Sequence, residues 1–177
     1  MDRLWAGWRA AYLGSTGEAV APGSDGCVFC GLLASGLPDE KSLIVWRSPT
    51  VAVLLNAYPY GSGHLLVLPV RHIGDLTSVA GPERAAMWDA VHAGVEAVTA
   101  AYGPGGINVG ANLGRAAGAG IPGHLHVHVL PRWDGDTNFM TTVATTRVLP
   151  EPLSETWRKL KAAWPTPPEA AAGATSR

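Results

Sequence analysis

Three histidines alternate with apolar residues in one short run, His124-Leu125-His126-Val127-His128. Side chains alternate between the two faces of a strand, so this spacing predicts three imidazoles in a row on one face. Neighbours in such a row stand roughly 6.6 Å apart, two strand rises, so two of them can reach one phosphate group. The chain has only six histidines in 177 residues, which makes a chance row of this kind rare.

Two kinds of chemistry suit the row. Three ligands along one line do not surround a tetrahedral metal ion easily, although one of them can be a ligand. Alternatively, one neutral imidazole attacks phosphorus while a neighbour gives a proton to the departing oxygen. The small residues at 114–120 favour the second chemistry, because their backbone N–H groups can approach phosphate oxygens. A flexible connector is the plain alternative for that loop.

The elements that must position this row are strands and helices, and the strands at 43–46, 51–55 and 64–68 look like an antiparallel meander. Apolar and turn residues predict strands at 43–46, 51–55, 64–68, 107–112 and 124–130, the last ended by Pro131. Helical spacing and end signals predict helices at 2–13, 82–101 and 153–164, with a short helical turn at 27–35.

Length and composition limit the function classes. A chain of 177 residues with 47% hydrophobic content predicts one domain, at 1–164, followed by a disordered Pro/Ala-rich tail at 165–177. The 13 basic and 14 acidic side chains nearly balance, so we expect no nucleic-acid partner held by a general basic field. The sequence shows neither a signal-peptide pattern nor a membrane span, which predicts a cytoplasmic protein with no membrane partner.

Several motifs together resemble the histidine triad superfamily. The run 124–130 matches its alternating signature, and further matches follow the usual order over about residues 27–140: Cys27-Val28-Phe29-Cys30, Asn56-Ala57-Tyr58-Pro59, Gly63 to Pro69 and Arg71-His72-Ile73. Arg3-Leu4-Trp5, Pro131-Arg132-Trp133, Asp136 and Asn138-Phe139 look most like its diadenosine tetraphosphate phosphorylase branch. The resemblance implies an α+β fold, an antiparallel sheet meander with one long helix packed on it and additional terminal helices. It also implies a homodimer and catalysis through a nucleotidylated histidine, and the sequence leaves open whether dimers pair into tetramers.

The resemblance also implies roles for individual residues. His126 matches the nucleophile, and His128 the residue on the leaving-group side of the phosphate. The implied substrate contacts are Asn56 for the ribose, Leu55 for the base, Asn112 for the phosphate, and Ala119 with Gly120 for the phosphate loop. Relatives often carry Ser, Thr or Gln at the end of that loop, whereas Gly120 has no side-chain donor. The choice between phosphate and water as acceptor therefore stays open.

Cys27 and Cys30 form the chain's C-x-x-C pair. In a reducing compartment this spacing suggests metal or redox chemistry, and two thiolates alone do not complete a tetrahedral site. The resemblance implies that His72 and His124 supply the other two ligands of a structural zinc ion, and it implies no organic cofactor. A redox pair would instead precede a thioredoxin-like βαβ order, which the predicted meander is not.

Four further side chains have a residue type that could serve a function. His64 and His92 are interpreted as a satisfied structural histidine and as a surface or packing residue. Arg132 directly follows the histidine strand and can pair with a distal phosphate; Trp133 can stack on a base or pack at a subunit interface.

The resulting hypothesis is an enzyme that cleaves diadenosine polyphosphates with inorganic phosphate, converting diadenosine tetraphosphate to ATP and ADP. A hydrolase or nucleoside phosphoramidase that uses water is the alternative within enzymes. A nucleotide-binding protein without turnover is the alternative outside them.

Overall fold

A computed structural model describes residues 26–136 and 151–165. The predicted helix at 2–13 and the segment 166–177 of the predicted tail lie outside the described residues. So do Arg3-Leu4-Trp5 and Asn138-Phe139 of the branch motifs. None of the described helices is long and apolar enough to cross a membrane.

Within residues 26–136 and 151–165, five strands and three α-helices confirm the predicted α+β class. The elements in chain order are α1 (Val28–Ala34), β1 (Ile44–Arg47), β2 (Val51–Leu55), β3 (Leu65–Pro69), α2 (Gly81–Tyr102), β4 (Gly106–Gly110), β5 (Val127–Arg132) and α3 (Leu153–Ala163). All neighbouring strands are antiparallel, in the order β1-β2-β3-β5-β4. The long helix has Pro82 in its first turn and ends at Gly103, as its sequence predicts.

The histidine strand differs from its prediction at both ends. It begins at Val127 instead of residue 124, because the Leu125 N–H donates to the Ile73 carbonyl oxygen (2.6 Å) and not to a sheet neighbour. It also continues through Pro131 instead of ending there. Pairing with β3 stops at Leu65 opposite Val129, so beyond that point β5 has one open side, where a residue without an N–H is tolerated.

The sheet separates two apolar clusters. One cluster packs β2, β3 and β5 against α2 and α3, and includes Val53, Val67, Val129, Met87, Val98 and Leu160. The other lies on the opposite face, under α1, and includes Phe29, Ile44, Leu54, Leu66 and Leu68. His128 is paired with Leu66 across the strands, so the histidine row lies on the α1 face.

Candidate active site

His126 is the central imidazole of the row and is almost fully buried, with 7% of its surface exposed. Its Nδ1 lies 2.8 Å from the His124 carbonyl oxygen. A carbonyl only accepts, so Nδ1 carries the proton and Nε2 of the neutral ring keeps its lone pair. Burial lowers the pKa of His126, against the opposing effect of that hydrogen bond. The ring is therefore a neutral imidazole with Nε2 as its nucleophilic atom.

His128 is the next imidazole along the row, with its ring centroid 5.0 Å from that of His126. Its Nδ1 lies 2.9 Å from His64 Nε2. The Tyr60 backbone N–H donates to His64 Nδ1 (3.1 Å), so in the neutral ring His64 Nε2 is the donor. His128 Nδ1 consequently accepts, and its own proton resides on Nε2. The hydrogen bonds thus fix His128 as a hydrogen-bond donor through Nε2–H.

Asn56 completes this network at the end of β2. Its Oδ1 accepts the Tyr58 N–H (3.0 Å), which leaves its Nδ2 facing His64 Nδ1 at 3.4 Å. The Asn56 side chain is buried on the face that holds the histidines. The structure therefore places the residue predicted to hold the ribose beside His64, two hydrogen bonds from His128.

The four predicted metal ligands come together at the other end of the row. One donor atom from each of Cys27, Cys30, His72 and His124 lies within 4.8 Å of the others. His124 Nδ1 lies 3.3 Å from Cys27 Sγ and 3.6 Å from Cys30 Sγ, and His72 Nδ1 lies 3.2 Å from Cys30 Sγ. Ligands around one tetrahedral zinc ion are separated by about 3.5 Å, given the usual zinc–sulfur and zinc–nitrogen bond lengths.

The tautomer of His124 suits metal binding. Its Nε2 lies 2.8 Å from the Pro69 carbonyl oxygen and must therefore donate to it. The lone pair is then on Nδ1, the atom that faces the two sulfurs. A ring N–H held by a carbonyl is the usual support of a metal-bound imidazole, so the residues fit a zinc ion.

The segment that carries His72 is held against the start of the histidine run. Besides the hydrogen bond between Leu125 and Ile73, a close approach occurs at Gly74, where a Cβ atom would stand 2.8 Å from the Pro122 carbonyl oxygen. Any side chain at this position would push the two segments apart. Glycine here keeps His72 beside His124.

Phe29 contacts two neighbouring histidines of the row. Its ring makes edge contacts with His124 and with His126, at centroid distances of 5.4 and 5.3 Å. Phe29 is buried in α1 between the two cysteines. The segment that carries the cysteine pair therefore also packs on the His126 imidazole.

The loop after β4 holds the remaining predicted phosphate contacts. Asn112 lies two residues beyond the end of β4 and not within it, and is half-buried. The Ala119 N–H donates to the Gly114 carbonyl oxygen (3.2 Å), so this group closes the loop on itself. Ala119 is buried and Gly120 is half-buried.

Three predicted site residues lie away from the imidazoles. Leu55 is buried in the cluster on the α2 face, opposite the histidine row. Arg132 is bound by Asp136 at 2.6 and 2.8 Å and by the Asn108 side chain at 2.8 Å. Trp133 packs edge-on against Tyr102, with ring centroids 6.2 Å apart.

His64 was interpreted as a satisfied structural histidine, and it is indeed buried and hydrogen-bonded. Its partner His128, however, makes it part of the site. Residues 64 and 66 share a strand face, and antiparallel pairing of β3 with β5 was the signal that could have found this contact. His92 is a surface residue, as one interpretation had it, next to Glu96.

Comparison with known proteins agrees with this geometry. Residues 38–135 match the family model described as the HIT domain. The AP-4-A phosphorylase of Mycobacterium tuberculosis strain H37Rv is 36% identical over 169 residues, covering 95% of this chain and 87% of the relative.

Solved structures give the same result. A zinc-bound histidine triad family protein from Mycobacterium smegmatis superposes with a TM-score of 0.64 at 29% identity, covering 80% of this chain and 95% of that one. A hypothetical histidine triad nucleotide-binding protein from Sulfolobus tokodaii strain7 gives 0.63 at 26% identity, covering 77% and 91%.

Proposed function

The chain belongs to the HIT domain family, and from that premise we propose that it transfers a nucleotidyl group through a covalent intermediate on His126. The proposed reaction is phosphorolysis of diadenosine polyphosphates, so that diadenosine tetraphosphate and phosphate give ATP and ADP. The relative named AP-4-A phosphorylase supports this choice of substrate. The observation that carries it is the tautomer of His126, whose bond to the His124 carbonyl leaves Nε2 as a nucleophile.

In the first step, His126 Nε2 attacks the α-phosphorus of the substrate. A nitrogen–phosphorus bond forms, and the bond from that phosphorus to the bridging oxygen breaks. His128 Nε2–H donates a hydrogen bond to the departing oxygen, and that oxygen keeps its negative charge as ATP leaves. The hydrogen bond from His64 keeps His128 in the tautomer that this step needs.

In the second step, an oxygen of inorganic phosphate attacks the same phosphorus and the nitrogen–phosphorus bond breaks. The product is ADP, and His126 is restored. If water is the acceptor, the product is AMP and the enzyme is a hydrolase. Gly120 keeps that alternative open, since it lacks the side-chain donor that relatives often have.

Zinc would be held by Cys27, Cys30, His72 and His124. When bound, it supplies a structural cross-link between α1 and the start of the histidine run. His124 passes this restraint to the site, because its own carbonyl oxygen accepts the His126 proton. We assign no catalytic step to the metal and no role to an organic cofactor.

The proposal includes a homodimer, as the resemblance implies. The most exposed large apolar side chain of the described residues, Trp88 on α2, is 56% exposed, and Val109 on β4 is 42% exposed. Pairing between two copies would cover such side chains. We also place the protein in the cytoplasm, where nucleotide substrates are present and its two cysteines stay reduced.

Product analysis tests this function directly. Purified protein is incubated with diadenosine tetraphosphate, with and without inorganic phosphate, and the nucleotides are separated by chromatography. We expect ATP and ADP in equal amounts, and only when phosphate is present. AMP release without phosphate would favour the hydrolase, and no turnover of any dinucleotide or phosphoramidate would favour a nucleotide-binding protein.

A further inference from the structure

The loop between β4 and the histidine run presents one arginine. Gly110 at the end of β4 is paired with His128, and the chain returns at His124, so the loop at 111–123 borders the site. It closes on itself through the Gly118 N–H, which donates to the Arg115 carbonyl oxygen (2.9 Å). Gly118 has a φ of +88°, a left-handed conformation that glycine adopts without strain. Arg115 begins the 3-10 turn of this loop, and its side chain is exposed.

Three other guanidinium groups of the described residues are paired with carboxylates. Arg132 is held by Asp136, Arg71 by Glu83, and Arg47 by Asp39. Within residues 26–136 and 151–165, Arg115 makes no ion pair.

The imidazoles of the site do not supply a positive charge for the phosphates. His64 and His128 each accept a hydrogen bond at Nδ1, which fixes both rings as neutral. A chain of four phosphates carries several negative charges, and neutral rings offset none of them. A cation beside the histidine row would offset part of that charge.

We propose that Arg115 forms an anion subsite that binds the phosphates beyond the scissile bond and later the incoming phosphate. The inference rests on the proposed function and adds a residue that selects substrate and acceptor. In an in-line displacement the leaving group departs opposite His126, and the acceptor of the second step enters from the same side. One subsite therefore serves both halves of the reaction.

The Arg115 subsite would also compensate for Gly120, which lacks the side-chain donor that relatives often have at that position. A guanidinium offers several N–H donors in a planar fork that suits phosphate oxygens, whereas water gains little from it. Arg115 would then supply the donor that relatives place at the end of the loop. The acceptor preference becomes a property of this arginine.

The test compares three proteins: the parent, Arg115→Gln, and Arg84→Gln as the control. Arg84 is exposed in the first turn of α2, and it too makes no ion pair within the part of the chain that the structure describes. Calorimetry without added magnesium measures binding of AMP, ATP and inorganic tripolyphosphate. We expect Arg115→Gln to weaken ATP and tripolyphosphate binding about 10- to 100-fold and AMP binding much less, with no change in Arg84→Gln.

Kinetics with the same proteins provide the second readout. We expect Arg115→Gln to raise the KM for phosphate about tenfold or more and to shift products from ADP towards AMP. Equal behaviour of the Arg115 and Arg84 variants in both assays would overturn the subsite while leaving the proposed function intact. Tripolyphosphate binding that depends on Arg115 in a protein without turnover would keep the subsite and reject the proposed function.

Discussion

The two ends of the histidine row use the same side chain for different purposes. At one end, His124 donates Nε2–H to the Pro69 carbonyl and turns Nδ1 towards two cysteine sulfurs. One position further along the same face, His126 donates Nδ1–H to the His124 carbonyl, so its lone pair is on Nε2. In each ring, the nitrogen that donates to a backbone carbonyl carries the proton, and the other nitrogen keeps its lone pair. The proposed structural support and the proposed phosphorus chemistry therefore use different nitrogens of two neighbouring histidines.

The largest expected effect is at the chemical end. His126→Ala removes the nucleophile, so we expect kcat for dinucleotide cleavage to fall by about a thousandfold or more. The metal content should stay the same, because none of the four ligands is changed. Steady-state kinetics and metal analysis check both points. A variant that kept a tenth of the parent's kcat would show that another group attacks phosphorus.

Removing zinc tests the end of the row at His124, where the metal would be bound. A strong chelator should lower the free energy of unfolding by about 4 kcal/mol, which for a chain of this size is on the order of 10 °C in Tm. Activity measured below the new Tm should largely survive, since zinc takes no part in the steps. Calorimetric scanning with parallel rate measurements tests this. Immediate loss of activity in a protein that remains folded would contradict the separation of the two ends.

His64 sharpens the comparison, because it lies at the chemical end yet does not touch phosphorus in the proposed steps. His64→Leu should lower kcat about 10- to 100-fold with little change in KM, since His128 loses the donor that fixes its tautomer. His64→Gln should recover much of this loss, because its amide N–H can donate to His128. Equal kcat in the Leu and Gln variants would reduce His64 to a packing residue.

The smallest effect is expected at Phe29, which contacts both His124 and His126. Phe29→Leu should cost about 1 kcal/mol of stability and lower kcat less than tenfold, because the His126 ring loses one packing surface. Met87→Leu, in the cluster on the α2 face, is the matched control. It should cost a similar amount of stability and leave kcat unchanged. Identical kcat values in the two variants would remove the proposed link through Phe29.

Local spacing was enough to predict much of this arrangement. Alternation along 124–130 placed the three histidines on one face, and the C-x-x-C pair with the histidine triad resemblance predicted the four residues that the structure brings within 4.8 Å. The long helix follows from its apolar stripe and the residues at its ends. These features depend on neighbours in sequence or on a specific motif.

Features set by distant partners could not be predicted in this way. The contact between His64 and His128 depends on β3 lying beside β5, and the late start of β5 depends on a hydrogen bond to Ile73. The alternation of side chains between the two faces of β2, by contrast, could be predicted from the sequence at residues 55 and 56. Adjacent residues point to opposite faces, so Leu55 and Asn56 could not both face the histidine row.

Trapping the covalent intermediate tests the central claim most directly. Protein mixed with diadenosine tetraphosphate without phosphate is quenched rapidly, and intact-mass analysis with peptide mapping locates any added group. We predict one adenylyl group on His126, absent from His126→Ala and released as ADP when phosphate is added. Turnover with no adduct, or an adduct on another residue, would contradict nucleophilic attack by His126.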